Sequence, residues 1–265
     1  MNPSLNSIVF ITGTFISNTC WDEWVQYFEN QGYKCIAPPW PFKEASAEEL
    51  RNRPARDAIA SNTISSVTDY FASIISAFTE KPILIGHSLG GLVVQLLLQR
   101  ELAAAGVALH SFPPQGVTRL TFSFLRALWE AIMLFTSSQK TYMMSFRKWK
   151  YSIANGMTYE QQKQTYYKYA IPESKKIVRD AFKCLTRIDF KKSHAPLLIT
   201  SGRNDRLIPA SLNYSNYKMY SAGDSITDYR EFKDHTHLIF GQEEGIREAE
   251  LALCWLQGVT QTDKF

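Results

Sequence analysis

Residues 8–12 form a short apolar run rich in β-branched side chains and closed by Gly13, after which Trp21, Trp24, Val25 and Phe28 recur at helical spacing until Gly32. This order predicts a strand, a loop and an amphipathic helix. Residues 33–37 read as a second strand stopped by Pro38 and Pro39. A polar excursion over residues 41–62 then leads into Ile64, Val67, Phe71, Ile74, Ile75 and Phe78, which fall on one helix face. Residues 82–86 are a third strand, with Leu92, Val93, Leu96 and Leu97 marking the helix directly behind it. Further strands are expected at 106–109, 196–200 and 229–232, with a helix at 210–220 and a closing amphipathic helix at 243–256. Strands that alternate with helices and are themselves solidly apolar imply a parallel sheet covered on both faces.

Residues 117–189 break this rhythm. They carry helix-length segments dense in aromatic side chains, among them Phe122, Phe124, Trp129, Phe135, Trp149 and Tyr166, and show no strand pattern. A crossover between parallel strands needs only about a dozen residues, and this segment is several times longer. It is read as an inserted helical lid over an apolar cleft. The chain then divides into a first core part, 1–116, the cap, 117–189, and a second core part, 190–265.

Gly86-His87-Ser88-Leu89-Gly90 matches G-x-S-x-G directly after a strand and directly before a helix. So tight a turn forces its central residue into a strained backbone conformation, and small flanking residues permit it. Ser88 would then stand at the carboxyl edge of the sheet, where the partial positive charge of the helix N-terminus favours an oxyanion. A plain helix-capping serine is the structural alternative. A serine hydroxyl needs a base, and chain order in such a fold puts an acid after a later strand and the base near the C-terminus. Asp205 lies on the loop after the fifth strand, flanked by Arg203 and Arg206, with which it could instead form a surface ion pair. After the sixth strand comes Asp234-His235-Thr236-His237-Leu238. The apolar residues that follow turn His237 inward, so it is taken as the base, and His235 between polar neighbours is read as solvated. His110 and His194 stand beside strands and are read as packed or surface residues. His235 and His237 alternate along an extended segment and could face one metal with Asp234, but no other ligand is nearby and no metal is expected. No dinucleotide or nucleoside-triphosphate loop is present, and no cofactor is expected.

These stretches, with Trp21-Asp22-Glu23-Trp24 and Gly202-Arg203-Asn204-Asp205, resemble the α/β-hydrolase superfamily over nearly the whole chain, in its capped esterase and lipase-like branch. The layout is also similar to the plant methyl-esterase and hydroxynitrile-lyase group. The resemblance implies the α/β-hydrolase fold: a mostly parallel central sheet, helices on both faces, an inserted helical cap, and two fewer amino-terminal strands than the usual eight. It implies a serine hydrolase of carboxylic esters that works through Ser88, His237 and Asp205 and an acyl-enzyme. The backbone N–H groups of Thr14 and Leu89 would form the oxyanion hole. In the family the opening strand ends in a His-Gly pair; here Thr12 holds the histidine's place before Gly13. Acyl transfer, carbon–carbon bond cleavage or a hydroxynitrile-lyase step on the same scaffold is the alternative, and a ligand receptor that keeps the three residues is a further one.

Charge refines the list of partners. A net charge of +4, from 29 basic and 25 acidic residues, lacks the one-sided basic tract of a nucleic-acid binder. The longest apolar run, residues 90–98, is far short of the roughly 20 residues that span a bilayer. Residues 1–6 show neither the basic nor the apolar part of a secretory signal, and Cys20, Cys35, Cys184 and Cys254 are scattered without a C-x-x-C pair. Reduced core thiols and a cytoplasmic location are expected. Residues 117–189 hold 13 Lys and Arg against 5 Asp and Glu, a surplus of eight that leaves the rest of the chain negative by four. Most of these charges read as a solvated face, but a basic rim would favour anionic amphiphilic esters. The expected substrate is a small apolar or amphiphilic ester, and the oligomeric state is left open.

Overall fold

In the computed structural model, which describes residues 7–55, 57–117, 137, 139–182, 186–220 and 225–261, the chain opens with β1 (Ser7–Ile11), α1 (Asp22–Asn30) and β2 (Lys34–Ile36). The polar excursion holds α2 (Ala47–Asn52) before α3 (Ile64–Ile75), β3 (Ile83–His87), α4 (Leu89–Gln99) and β4 (Ala105–Leu109). There follow β5 (Thr141–Tyr142), α5 (Phe146–Ser152), α6 (Tyr159–Tyr169), β6 (Glu173–Ser174) and α7 (Lys175–Phe182). The chain closes with β7 (Leu197–Gly202), α8 (Ala210–Tyr220), β8 (Thr227–Phe232) and α9 (Glu243–Gln261).

Six strands form one parallel sheet in the order β2-β1-β3-β4-β7-β8. Every residue of β3, β4 and β7 is buried, as solidly apolar central strands require when helices cover both faces. The edge strands β2 and β8 are the partly exposed ones. On one side of β1 the ring of Phe10 meets those of Trp21, Phe28 and Trp24 at 4.9, 5.9 and 6.4 Å, and Phe240 closes on Trp21 at 4.7 Å. On the other side α4 packs on β1, β3 and β4. It comes so near that a Cβ on Gly90 would lie 2.1 Å from the carbonyl oxygen of Ile11.

The structure departs from the sequence reading in several places. The excursion over 41–62 is not a plain loop. Ser46 and Glu49 form a capping box that starts α2, a signal present in the sequence but overshadowed by the polar composition. The helix expected to reach Phe78 ends at Ile75 and finishes in turns. Within 117–189, β5 and β6 pair antiparallel, Tyr142 opposite Glu173, where no strand was expected. Two residues are too few to show an alternating pattern. Cys20 is buried as expected, but Cys254 is exposed, and Cys184 lies outside the described residues. So do Phe122, Phe124, Trp129 and Phe135.

The segment after β4 is stitched to the loop that follows β1. Ser17 N–H donates to the carbonyl of Tyr169 (2.8 Å), Ile171 N–H donates to that of Phe15 (2.9 Å), and Ile16 bridges Ala170. The close crossing of α4 over β1 gives a direct test. Gly90→Ala must push α4 off the sheet and is expected to lower stability in urea by about 3 kcal/mol. Gly258→Ala, in α9 with nothing within 4 Å of the new methyl group, should raise it by about 0.5–1 kcal/mol.

Candidate active site

The turn between β3 and α4 places Ser88 at φ 58° and ψ −120°, a left-handed conformation that side chains other than glycine rarely adopt. Leu89 opens α4, so its N–H has no acceptor within the helix. Ser88 stands in a cleft enclosing about 290 Å³, part of it open to solvent, with Thr14, Phe15, Leu89, Phe112, Val178, Ala181 and Leu207 around it. Thr14 and Leu89 thus both lie on its wall. None of these described residues is charged.

His237 brings its Nε2 to 3.1 Å from Ser88 Oγ, and its Nδ1 lies 2.7 Å from Asp205 Oδ2. The three predicted side chains therefore form one hydrogen-bonded series, buried throughout. Asp205 is no surface ion-pair partner, since Arg203 pairs with Glu231 and Arg206 lies over the ring of Tyr151. Its Oδ1 accepts from the N–H groups of Leu207 (2.8 Å) and Ile208 (2.7 Å). Burial would raise its pKa, but His237 and His110 outweigh this and bring it down to about 2. A hydroxyl backed by an imidazole, backed in turn by a carboxylate, can pass its proton to the ring as it attacks a carbonyl, and the carboxylate stabilises the resulting imidazolium. His87 donates from Nε2 to the carbonyl of His237 (2.8 Å), and burial, with His237 and His110 nearby, holds it neutral.

His235 corrects the sequence reading. It is not solvated: only 6% exposed, it stacks on Phe232 at 4.3 Å and places Nδ1 3.0 Å from Glu248 Oε2. Its polar neighbours in sequence do not decide where its ring turns; the carboxylate on α9 does. His235 and His237 consequently face different carboxylates, Glu248 and Asp205. Two triplets, His110 with His235 and Glu248, and His110 with Asp205 and His237, keep donor atoms within 4.8 Å of one another. Within each, the spacings are those of hydrogen bonds and ion pairs between the side chains themselves, so neither grouping needs a cation to account for it.

The loop that carries Thr14 is held from two sides. Thr12, at the family's histidine position, accepts from Trp21 Nε1 (3.0 Å). Phe15, at φ 66°, points its N–H at Glu173 Oε2 (3.4 Å), and that oxygen also receives Lys43 Nζ at 2.6 Å. Both charges are buried, with Lys43 at 4% and Glu173 at 0% exposure, and the ammonium lies 4.3 Å from the centre of the Trp40 ring. Sequence reasoning found neither Lys43 nor Glu173. The basic rim expected of residues 117–189 does not line the cleft among the described residues: Lys150 lies over Phe146 and Tyr159, and Lys168 over Tyr169.

The sequence matches the model of the alpha/beta hydrolase family over residues 8–249. The chain belongs to that family. Solved structures share the fold at low identity. A monoacylglycerol lipase of Paleococcus ferrophilus matches at 19% identity and a TM-score of 0.67, covering 96% of this chain and 95% of its own. A pyrethroid hydrolase of Sphingobium faniae matches at 15% and 0.65, covering 97% and 99%. Tomato methylketone synthase I, complexed with 2-tridecanone, matches at 13% and 0.65, covering 96% and 99%. No curated protein matches the chain by sequence. No helix among the described residues is long and apolar enough to cross a membrane.

Two predictions follow from the charges in the site. Asp205 has its folded pKa below the unfolded value, so its contribution to stability is complete above about pH 4 and is lost as pH falls toward 2. Burial would lower the pKa of His110, but Glu248 and Asp205 lift it to about 9. Its contribution is therefore complete below about pH 6.5 and is lost as pH rises through 9. Urea midpoints measured from pH 2 to 10 should plateau between about pH 4 and 6.5 and fall on both sides, each flank on the order of 2 kcal/mol. Glu173→Ala strands the Lys43 ammonium in the interior and should cost about 3–5 kcal/mol in the same assay.

Proposed function

We propose that the chain is a serine hydrolase of carboxylic esters, and the observation that carries this is the unbroken series from Ser88 Oγ through His237 to Asp205 at a strained turn. Ser88 attacks the ester carbonyl while His237 takes its proton. The N–H groups of Thr14 and Leu89 receive the oxyanion, and His237 then protonates the leaving alcohol. Water, deprotonated by His237, attacks the acyl-enzyme and releases the acid. Asp205 holds His237 in the tautomer this requires. Residues 117–189 act as the cap, and the apolar cleft wall selects esters whose acyl part is neutral and apolar. This differs from the anionic preference suggested by charge counting, because none of the described residues around the cleft is charged.

The lipase and the pyrethroid hydrolase among the structural neighbours fit this reading. The methylketone synthase keeps ketone-forming chemistry as the second reading, and product analysis separates the two. A neutral acyl ester should yield its acid and alcohol in equal amounts. Ser88→Ala is expected to abolish labelling by a fluorophosphonate probe and to lower turnover about a millionfold, with His237→Ala matching it. Asp205→Asn should lose about ten-thousandfold. A Ser88→Ala variant that keeps a tenth of the activity removes the proposal.

A further inference from the structure

Behind Asp205 the site continues into buried titratable groups that the proposed reaction does not use. His110 directly follows β4 at φ 46°, a conformation unusual for a side chain of its size, so its surroundings impose its placement. Its N–H donates to the carbonyl of Thr200 (3.1 Å). Its ring lies against Gly202, where a Cβ would come within 2.8 Å of His110 Cε1 and 2.4 Å of the His235 carbonyl oxygen. Ring atom Nδ1 is 3.3 Å from Asp205 Oδ2, the same oxygen that faces His237. On the other side Nε2 is 3.3 Å from Glu248 Oε2, an ion-pair contact bent away from hydrogen-bond alignment. Glu248 comes from α9, is completely buried, faces His235 Nδ1 through the same oxygen, and accepts from Thr200 Oγ1 through the other.

This geometry dictates a charge. An imidazole with a carboxylate oxygen against each ring nitrogen would turn a lone pair toward an anion if either nitrogen lacked a proton, so both carry one. The groups facing this part of the site are His87 from β3, Asp205 from the β7–α8 loop, His235 and His237 from the β8–α9 loop, and Glu248 from α9. Two of them are carboxylates, and burial holds His87 neutral.

We propose that His110 is a positioning residue, a buried imidazolium that tethers the Asp205 carboxylate through the oxygen shared with His237, and that Glu248, steadied by His235 and Thr200, keeps it charged. Its ring centre is 6.3 Å from that of His237. At that range a fixed positive charge offsets part of the Asp205 field at the His237 ring. The kinetic side of this rests on the ester-hydrolase reading; the protonation of His110 does not.

His110→Asn can keep a donor toward Asp205 while removing the charge. The acid limb of its kcat/KM profile for a neutral ester should move up by about one pH unit, so that activity falls about tenfold more at pH 5.5 than at pH 8 while KM holds. A profile lowered evenly, without moving, overturns the proposal. Histidine-selective 15N NMR of the wild-type protein is the second measurement and needs neither turnover nor a folded variant. His110 should show protons on both ring nitrogens at pH 7.5. A single proton there overturns the proposal, as does a stoichiometric metal ion retained on purification and bound at Nε2. If ester turnover proves absent while both protons are seen, it is the hydrolase reading that has failed and the tether that stands.

Discussion

A carboxylate removed from water has to be surrounded by donors, and Asp205 collects four: two backbone N–H groups from its own loop and two imidazoles from the segments that follow β4 and β8. Leaving such a charge unpaired costs several kcal/mol, so the requirement fixes geometry well beyond one residue. The ends of β4, β7 and β8 must meet around it. The parallel sheet makes this possible, because all six strands deliver their carboxyl ends to the same edge and the loops that follow are free to turn inward there. Glu248 repeats the logic one layer deeper, with His110 common to both carboxylates.

What the sequence made legible follows from where its signals are local. The turn around Ser88 is written in five consecutive residues, and the strands on either side of it are solidly apolar, so fold and position could be read together. His237 and Asp205 were found because chain order in an alternating β/α pattern places them after known strands. Glu248 was missed although its signal exists. The buried face of α9 runs through Gly245, Glu248, Ala249, Ala252, Leu253 and Leu256, and a glutamate inside that stripe demands a buried partner. Lys43 and Glu173 had no comparable signal. They lie 130 positions apart in polar stretches, and only the tertiary fold brings them together.

That second pair illustrates what buried charge is good for. Against an apolar pair of the same shape, a buried ion pair adds little stability, because desolvating both charges offsets their attraction. Lys43 and Glu173 instead define position. The carboxylate holds the N–H of Phe15 at a left-handed turn next to Thr14, and it belongs to a strand of the segment that follows β4. The loop after β1 and the segment over it therefore cannot shift independently of each other. For the proposed reaction this matters more than the energy of the pair, since an oxyanion donor acts only when it is held at hydrogen-bond distance from where the oxyanion forms.

The two sides of Ser88 differ sharply in character. Toward the cleft the wall is apolar and uncharged. Behind the serine lie three histidines and two carboxylates, all buried, in hydrogen-bond or ion-pair contact one after another. Coulomb interactions between groups near a protein surface are several times stronger than in bulk water, and more so in the interior. In the proposed reaction, an apolar substrate that fills the cleft would displace water from the Ser88 side of this assembly. Each charge shift behind Ser88 would then be felt more strongly at the hydroxyl. In the proposed hydrolase the apolar wall would then serve recognition and reactivity at once, because an ester whose acyl chain packs on Phe112, Val178 and Leu207 would also seal Ser88 from water.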